Sequence, residues 1–298
     1  MSKKILPISI VCATHKGKRR LPLLLNSILK NTALPKEIII CGTDQSDFNL
    51  INIQKFKKLK IKKIISRIKN QTIQRNLAIK NVNTNIIAQC DDDLELESNY
   101  ILNAYNHFLG NKKKRKIVSA AILFKDFKHQ AIRWNNAYYN FAIYRNILLF
   151  FNSYKKLKYM SVLKSGRIIP LLPKDFLTLN KSPKILDKLE WVCSTIIYEK
   201  SAIKDAYKYN PKIGEKAYYE DVFFSHSLYK KKYNLLIDRS VIAYHPKTEI
   251  TDINIYFKTI KSQKKIIEVF KKSKIFFYLD VLLFTVLFLF LKTFNIKR

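Results

Sequence analysis

Three short apolar runs, residues 8–12, 37–41 and 85–90, are separated by segments in which leucine and isoleucine recur at helical spacing, 21–29 and 72–82. Runs of that length rich in β-branched residues read as buried strands. Strands alternating with helices demand a mostly parallel sheet covered on both faces. Residues 61–66 add a weaker strand among lysines, 100–109 read as a helix and 117–124 as extended, while Pro35 breaks the chain ahead of the second strand. The expected fold is α/β, Rossmann-like, with helices flanking the sheet.

The three strands end in Cys12, Cys41 and Cys90. Ligands of such sheets sit outside the carboxyl ends of the strands. One rim should therefore gather Thr14 and His15, Thr43 and Asp44, and the run Asp91, Asp92, Asp93. The cysteines read as small buried hydrophobes. With Cys193 they number four, far apart, with no Cys-x-x-Cys pair, which argues against a disulfide framework or zinc ribbon and favours a reducing compartment.

Three consecutive acids after an apolar strand raise one another's pKa unless a cation sits among them. Hard oxygen ligands suit Mg²⁺ or Mn²⁺, which also bind phosphate oxygens. The bland alternative is an acidic turn into a helix start at Glu95–Glu97. A haloacid-type phosphatase would need Thr or Val where Glu95 stands.

The charge points the same way without choosing. Over 298 residues, 56 Lys and Arg face 22 Asp and Glu, a net +34. That favours a polyanionic partner, although joint enrichment in Lys, Ile, Asn, Phe and Tyr also fits an AT-rich coding bias, with the runs 112–116 and 230–232 as solvated faces. Residues 1–13 are no signal peptide, because Pro7 and Ser9 interrupt a short apolar run. Residues 275–291 are apolar but for Asp280 and Thr285, with Lys271, Lys272 and Lys274 before them and Lys292, Lys297 and Arg298 after. Such a segment is short for a span and suits an apolar C-terminal helix lying in the interface of an anionic membrane surface, or dipping into one leaflet, at its cytoplasmic face. The alternative is a buried core helix.

In their order, Thr14-His15, Thr43-Asp44, Gln74-Arg75-Asn76, Asp91-Asp92-Asp93, Glu190-Trp191, Glu220-Asp221 and the strand-end His245 resemble a family 2 glycosyltransferase over roughly residues 7–246. The chain departs from that pattern at Cys41-Gly42-Thr43-Asp44, where consecutive Asp are usual, and at Cys193-Ser194, where Gly is usual. The resemblance implies a glycosyltransferase A-type fold, a nucleotide-diphosphate sugar donor and metal-assisted transfer, with inversion, to a saccharide or lipid-linked acceptor of a surface glycan. It implies Asp221 as catalytic base with Glu220 orienting it or meeting the acceptor. Thr14, His15, Asp44, Arg75, Asp91 and Asp92 would bind the donor, Asp93 and His245 a Mn²⁺ or Mg²⁺ ion, and Trp191 the acceptor. The expected organisation is a nucleotide-sugar half at 1–124, an acceptor half at 125–250 and membrane-associating helices at 251–298. The rivals are a nucleotidyltransferase, which would want a glycine-rich loop where only Gly17 stands, and a basic nucleic-acid-binding protein, which would not need the acids; no nucleic-acid partner is expected.

Overall fold

The computed structural model describes residues 3–49, 51, 54–109, 115–124, 146, 160–169, 185–193, 195–206, 219–245 and 253–293. Residues 125–145 and 170–184, within the expected acceptor half, lie outside that set, as does Ser194. The chain divides into two compact units, Met1–Ala131 with Pro183–Lys247, and Ile132–Ser182 with Thr248–Arg298.

The first unit holds a nine-stranded sheet. Its strands are β1 (Lys4–Ala13), β2 (Ala33–Gly42), β3 (Ile61–Ile65), β4 (Ile86–Asp91), β5 (Glu95–Leu96), β6 (Lys116–Phe124), β9 (Ile185–Leu189), β10 (Ile196–Glu199) and β11 (Asn234–His245). Between β6 and β9 in the chain come β7 (Ser161–Val162) and β8 (Ile168–Ile169), a separate hairpin of the second unit. The sheet order is β3-β2-β1-β4-β10-β6-β11-β5, with β9 also on β11. Strands β1 to β4 are mutually parallel and β6 is parallel to β11, while β10 runs antiparallel between β4 and β6. Two antiparallel steps restore the direction, so β1, β2, β4, β6 and β11 all end on one rim.

Helix α1 (Leu21–Lys30) forms because Leu21, Leu24, Leu25 and Ile28 recur at i, i+3, i+4 and i+7, and all four are fully buried against the sheet. Helix α2 (Gln71–Lys80) is capped by Asn70, whose side chain accepts from the Thr72 and Ile73 amides at 3.0 and 3.3 Å. Its inward stripe is not the apolar one at Ile73 and Leu77. It begins with Thr72, Gln74 and Arg75 and turns apolar only at Ala78 and Ile79. Helices α3 (Tyr100–Leu109) and α4 (Glu220–Lys230) complete the unit.

Two readings of the sequence need correction. Pro35 lies inside β2, at a stretch that β3 does not reach and where the pairing with β1 shifts between Leu6 and Ser9; an edge or bulge spares proline its missing donor. Glu95 and Leu96 form a strand opposite Tyr244 and Ala243 and start no helix. Strand β11 is irregular between Asp238 and Ile242, where Asp238 accepts from the Ser240 amide and hydroxyl at 2.8 and 2.7 Å.

In the second unit, β7 and β8 join helices α5 (Ile253–Phe270) and α6 (Lys274–Thr293). The apolar C-terminal run is thus helical, and no helix among the described residues is long and apolar enough to cross a membrane. Asp280, the charge that interrupts the run, is buried. Arg167 Nε donates to its two oxygens at 2.9 and 2.7 Å, and Gln263 Nε2 donates to it at 2.6 Å. Gly166, at φ +77, lets the hairpin turn approach α5, since a Cβ there would lie 2.9 Å from the Gln263 carbonyl. Arg167→Met should cost about 3–5 kcal/mol of stability by leaving Asp280 buried without its cation, and Arg167→Met with Asp280→Leu should recover most of it. Urea unfolding of the three chains checks this; an unchanged midpoint in the single variant would show that the pair does not hold this unit.

Candidate functional site on the strand-end rim

Ala13, the last residue of β1, lies opposite Cys41 on one side and Asp91 on the other. The next residue closes the rim. The Thr14 amide donates to the Cys41 carbonyl at 2.9 Å, and its hydroxyl donates to Asp92 at 2.6 Å. Arg20 approaches the same Asp92 oxygen at 3.1 Å. Gly17 permits this closure, because a Cβ there would fall 1.8 Å from the Thr14 hydroxyl. Burial pushes the Asp92 carboxyl up to about 6; its acidic neighbours add to this, against the Thr14 bond and Arg20. Mutual repulsion, the expected cause, is the smaller one. Thr14 and Asp92 are both buried and bonded to each other, so they shape the turn.

At the end of β2, the Asp47 carboxylate accepts from the Thr43 amide and hydroxyl at 2.8 and 3.0 Å, and Asp44 accepts from the Ser46 amide at 2.6 Å. This reciprocal capping box holds the Asp44 carboxyl below its ordinary range while leaving it exposed. His15 Nδ1 lies 2.9 Å from the Thr43 hydroxyl, also exposed. His15, Thr43 and Asp44 are the open polar groups of this corner.

Gln74 and Arg75 tie α2 to the rim. Gln74 Nε2 donates to the carbonyls of both Thr14 and Cys41, the latter at 2.8 Å. Arg75 is 3% exposed, and its guanidinium is shared between Asp91 and Glu220. Gln71 Nε2 adds a 3.3 Å contact to the same Asp91 oxygen. Arg75 was expected to meet a nucleotide. It is instead an interior cation joining β4 to α4, because a guanidinium cannot be buried without partners.

Tyr219, left-handed at φ 61, turns the chain into α4, whose first residues are Glu220 and Asp221. Asp221 Oδ1 accepts from the Val222 amide at 2.9 Å. Burial pushes this carboxyl up to about 6, with Asp91 raising it further against the Val222 bond and Arg75. The Ser225 hydroxyl donates to the Asp221 carbonyl at 2.7 Å and accepts from the Val192 amide at 3.0 Å, while His226 Nδ1 lies 2.9 Å from the Glu190 carbonyl. These bonds pin residues 190–192 to α4. Trp191 is 2% exposed there, so the expectation that it stacks on an acceptor sugar is corrected: it is a core residue.

Asp93 and His245 meet across the rim, Oδ2 to Nε2, at 3.3 Å, with His245 at the end of β11 and only 4% exposed. Among the described residues no group of three or more His, Cys, Asp or Glu is placed to hold a metal ion. One oxygen and one imidazole donor do not make a resident metal centre. They fit a divalent cation that keeps waters and is shared with substrate phosphates, which needs one or two protein ligands.

Burial also holds the thiols of Cys12, Cys41 and Cys90 well above their ordinary range, Cys41 at about 11 and Cys90 at about 12, as inert hydrophobes.

The profile of glycosyl transferase family 2 matches residues 9–162, more than half of the chain. The chain belongs to this family. In fold it is similar to TarS of S. aureus, with TM-score 0.52 at 15% identity over 87% of this chain and 39% of that one. It is similar also to TarS 1–349 in complex with UDP-GlcNAc, with TM-score 0.54 at 14% identity over 88% of this chain and 66% of that one. The chain thus spans well under half of the full TarS chain. No curated protein matches it in sequence. These likenesses establish the glycosyltransferase A-type, Rossmann-like fold.

Three residues that build the rim carried no reading, Arg20, Asp47 and Gln71, and Gln74 entered only within the Gln74-Arg75-Asn76 motif, with no role of its own. Asp47 was legible, since Asp44-x-x-Asp47 has capping-box spacing; a glutamine inside a helix gives no pattern. Removing the buried cation with Arg75→Met should cost about 3–5 kcal/mol. Arg75→Lys keeps the charge but not the fork, and should recover only part of that loss. Denaturant midpoints check the order; a Met variant as stable as the native chain would show that Arg75 does not bridge the two carboxylates.

Proposed function

We propose that this family member transfers a sugar from a nucleotide-diphosphate donor to a hydroxyl of a saccharide or lipid-linked acceptor, with inversion and with assistance from Mn²⁺ or Mg²⁺. One observation carries the reading. Glu220, beside Asp221 at the start of α4, is bound through Arg75 to Asp91 in the strand-end acidic run, and burial pushes the Asp221 carboxyl up to about 6. A carboxylate so tuned is a competent general base near neutral pH. The complex of TarS 1–349 with UDP-GlcNAc supports UDP-N-acetylglucosamine as the first donor to test.

In this reading, His15, Thr43 and Asp44 receive the nucleoside at the open corner of the rim. Asp93 and His245 would hold the cation, which when bound offsets charge on the leaving diphosphate. Asp221 accepts the proton of the acceptor hydroxyl as its oxygen bonds to the anomeric carbon. The bond from that carbon to the phosphate oxygen breaks on the opposite face, and its electron pair leaves on the nucleoside diphosphate. A single displacement inverts the configuration. Glu220, held by Arg75, fixes the helix start from which Asp221 works.

Asp221→Asn keeps shape and the Val222 bond but cannot take a proton. Its kcat should fall by about 10²–10⁴-fold with donor affinity unchanged. In the native enzyme kcat/KM should rise with pH through about 6 as the base ionises, and this limb should vanish in the variant. Stability gives an independent sign. A carboxyl raised above its ordinary 3.8 favours the fold most at low pH and loses that advantage as pH rises through about 6. Asp221→Asn should therefore gain stability relative to the native chain between pH 4 and pH 8. Native turnover in Asp221→Asn would place the base elsewhere.

Asp93→Ala should abolish donor turnover in a folded chain, as should excess chelator on the native enzyme. Full activity in either case would remove the metal from the mechanism.

A further inference from the structure

Helix α6 has two unlike faces. Phe277, Asp280 and Phe284, at i, i+3 and i+7, are buried, and Arg167 closes over them, its guanidinium 4.1 Å from the Phe284 ring centroid. Opposite them, Ile275, Tyr278, Leu282, Val286 and Leu289 are each more than half exposed. Steps of three and four residues align these five in one stripe, about 20 Å long at the rise of a helix. A continuous apolar stripe of that length marks an interaction surface. Lys271 and Lys274 are exposed at one end of it, and Lys292 follows the other end in sequence.

We propose that this stripe docks on an anionic lipid surface, with α6 lying in the plane of the interface. Charge selects lipid over a second copy of the chain. Pairing two copies of α6 sets lysine-bearing ends together whether the helices run parallel or antiparallel, on chains that each carry +34. An anionic headgroup layer meets both ends favourably. The sealed face selects lying over crossing. Asp280 is committed to Arg167 and Gln263, so only one side of the helix can meet acyl chains, and the helix is not long and apolar enough to span. Tyr278, on the stripe, supplies an amphipathic ring of the kind that sits at headgroup level. This inference does not rest on the proposed activity.

The test is co-sedimentation of the full chain with vesicles of phosphatidylcholine alone and with added phosphatidylglycerol, at low and high salt. The native chain should pellet with the anionic vesicles. The variant Tyr278→Glu/Leu282→Glu/Val286→Glu should bind at least about tenfold more weakly, with its circular dichroism unchanged. The variant Lys271→Ser/Lys274→Ser leaves the stripe intact and should reduce the preference for anionic over neutral vesicles by about tenfold or more, which also decides the matter should the triple variant misfold. A native chain that stays in the supernatant, variants that bind like it, or a native dimer that the triple variant turns into a monomer would each overturn the proposal.

Discussion

A guanidinium buried to 3% exposure has to find anions, and Arg75 finds two that lie 16 and 145 positions away in sequence, Asp91 and Glu220. The rest of the rim depends on that demand. One partner ends the fourth strand of the sheet and the other begins α4, so a single cation fixes acids from both ends of the first unit. The cost of desolvating the cation is offset only while both carboxylates stay in place. The bridge is therefore stabilising in the sense that breaking it is expensive, and it sets where Asp221 stands.

Around this bridge the rim separates into groups that hold its turns together and groups that still reach solvent. Gln74 joins the ends of β1 and β2, Asp47 folds the turn after β2, and Thr14 with Arg20 holds Asp92. Each is a polar side chain satisfied by protein, as buried groups must be. What such construction leaves is a fixed set of exposed or partly exposed groups, His15, Thr43, Asp44, Asp93 and Asp221. Pre-set dipoles and charges of this kind need no rearrangement when charge develops, which is where electrostatic catalysis gains most. Gly17 shows how tight the closure is, since even a methyl group would strike Thr14.

Strands β1 to β4 and β6 were legible as short runs rich in β-branched residues, and α1 because four residues at helical spacing all face inward. Other features were hidden for identifiable reasons. Strand β5 has two residues and exists only through its pairing with β11. Pro35 marks a break in a local reading but is tolerated where one neighbouring strand is missing. The rim positions were visible as residues following strand ends, yet their roles were not. Asp91, Asp92 and Asp93 are adjacent in sequence and turn to three different partners, Arg75, Thr14 and His245. Asp280 read as an interruption of an apolar helix; its purpose lies in a hairpin more than a hundred residues earlier. Composition carries no information about such distant pairings.

The coupling through Arg75 is most directly measured by a double-mutant cycle on transfer rate with Asp91→Asn, Glu220→Gln and the double variant. If both carboxylates act through one guanidinium, the double variant should lose less than the sum of the singles. The interaction energy should fall within the roughly 0.5–3 kcal/mol found for residues sharing a network, and it should disappear when the cycle is repeated on Arg75→Met. Additive losses, or a coupling that survives without Arg75, would contradict the account.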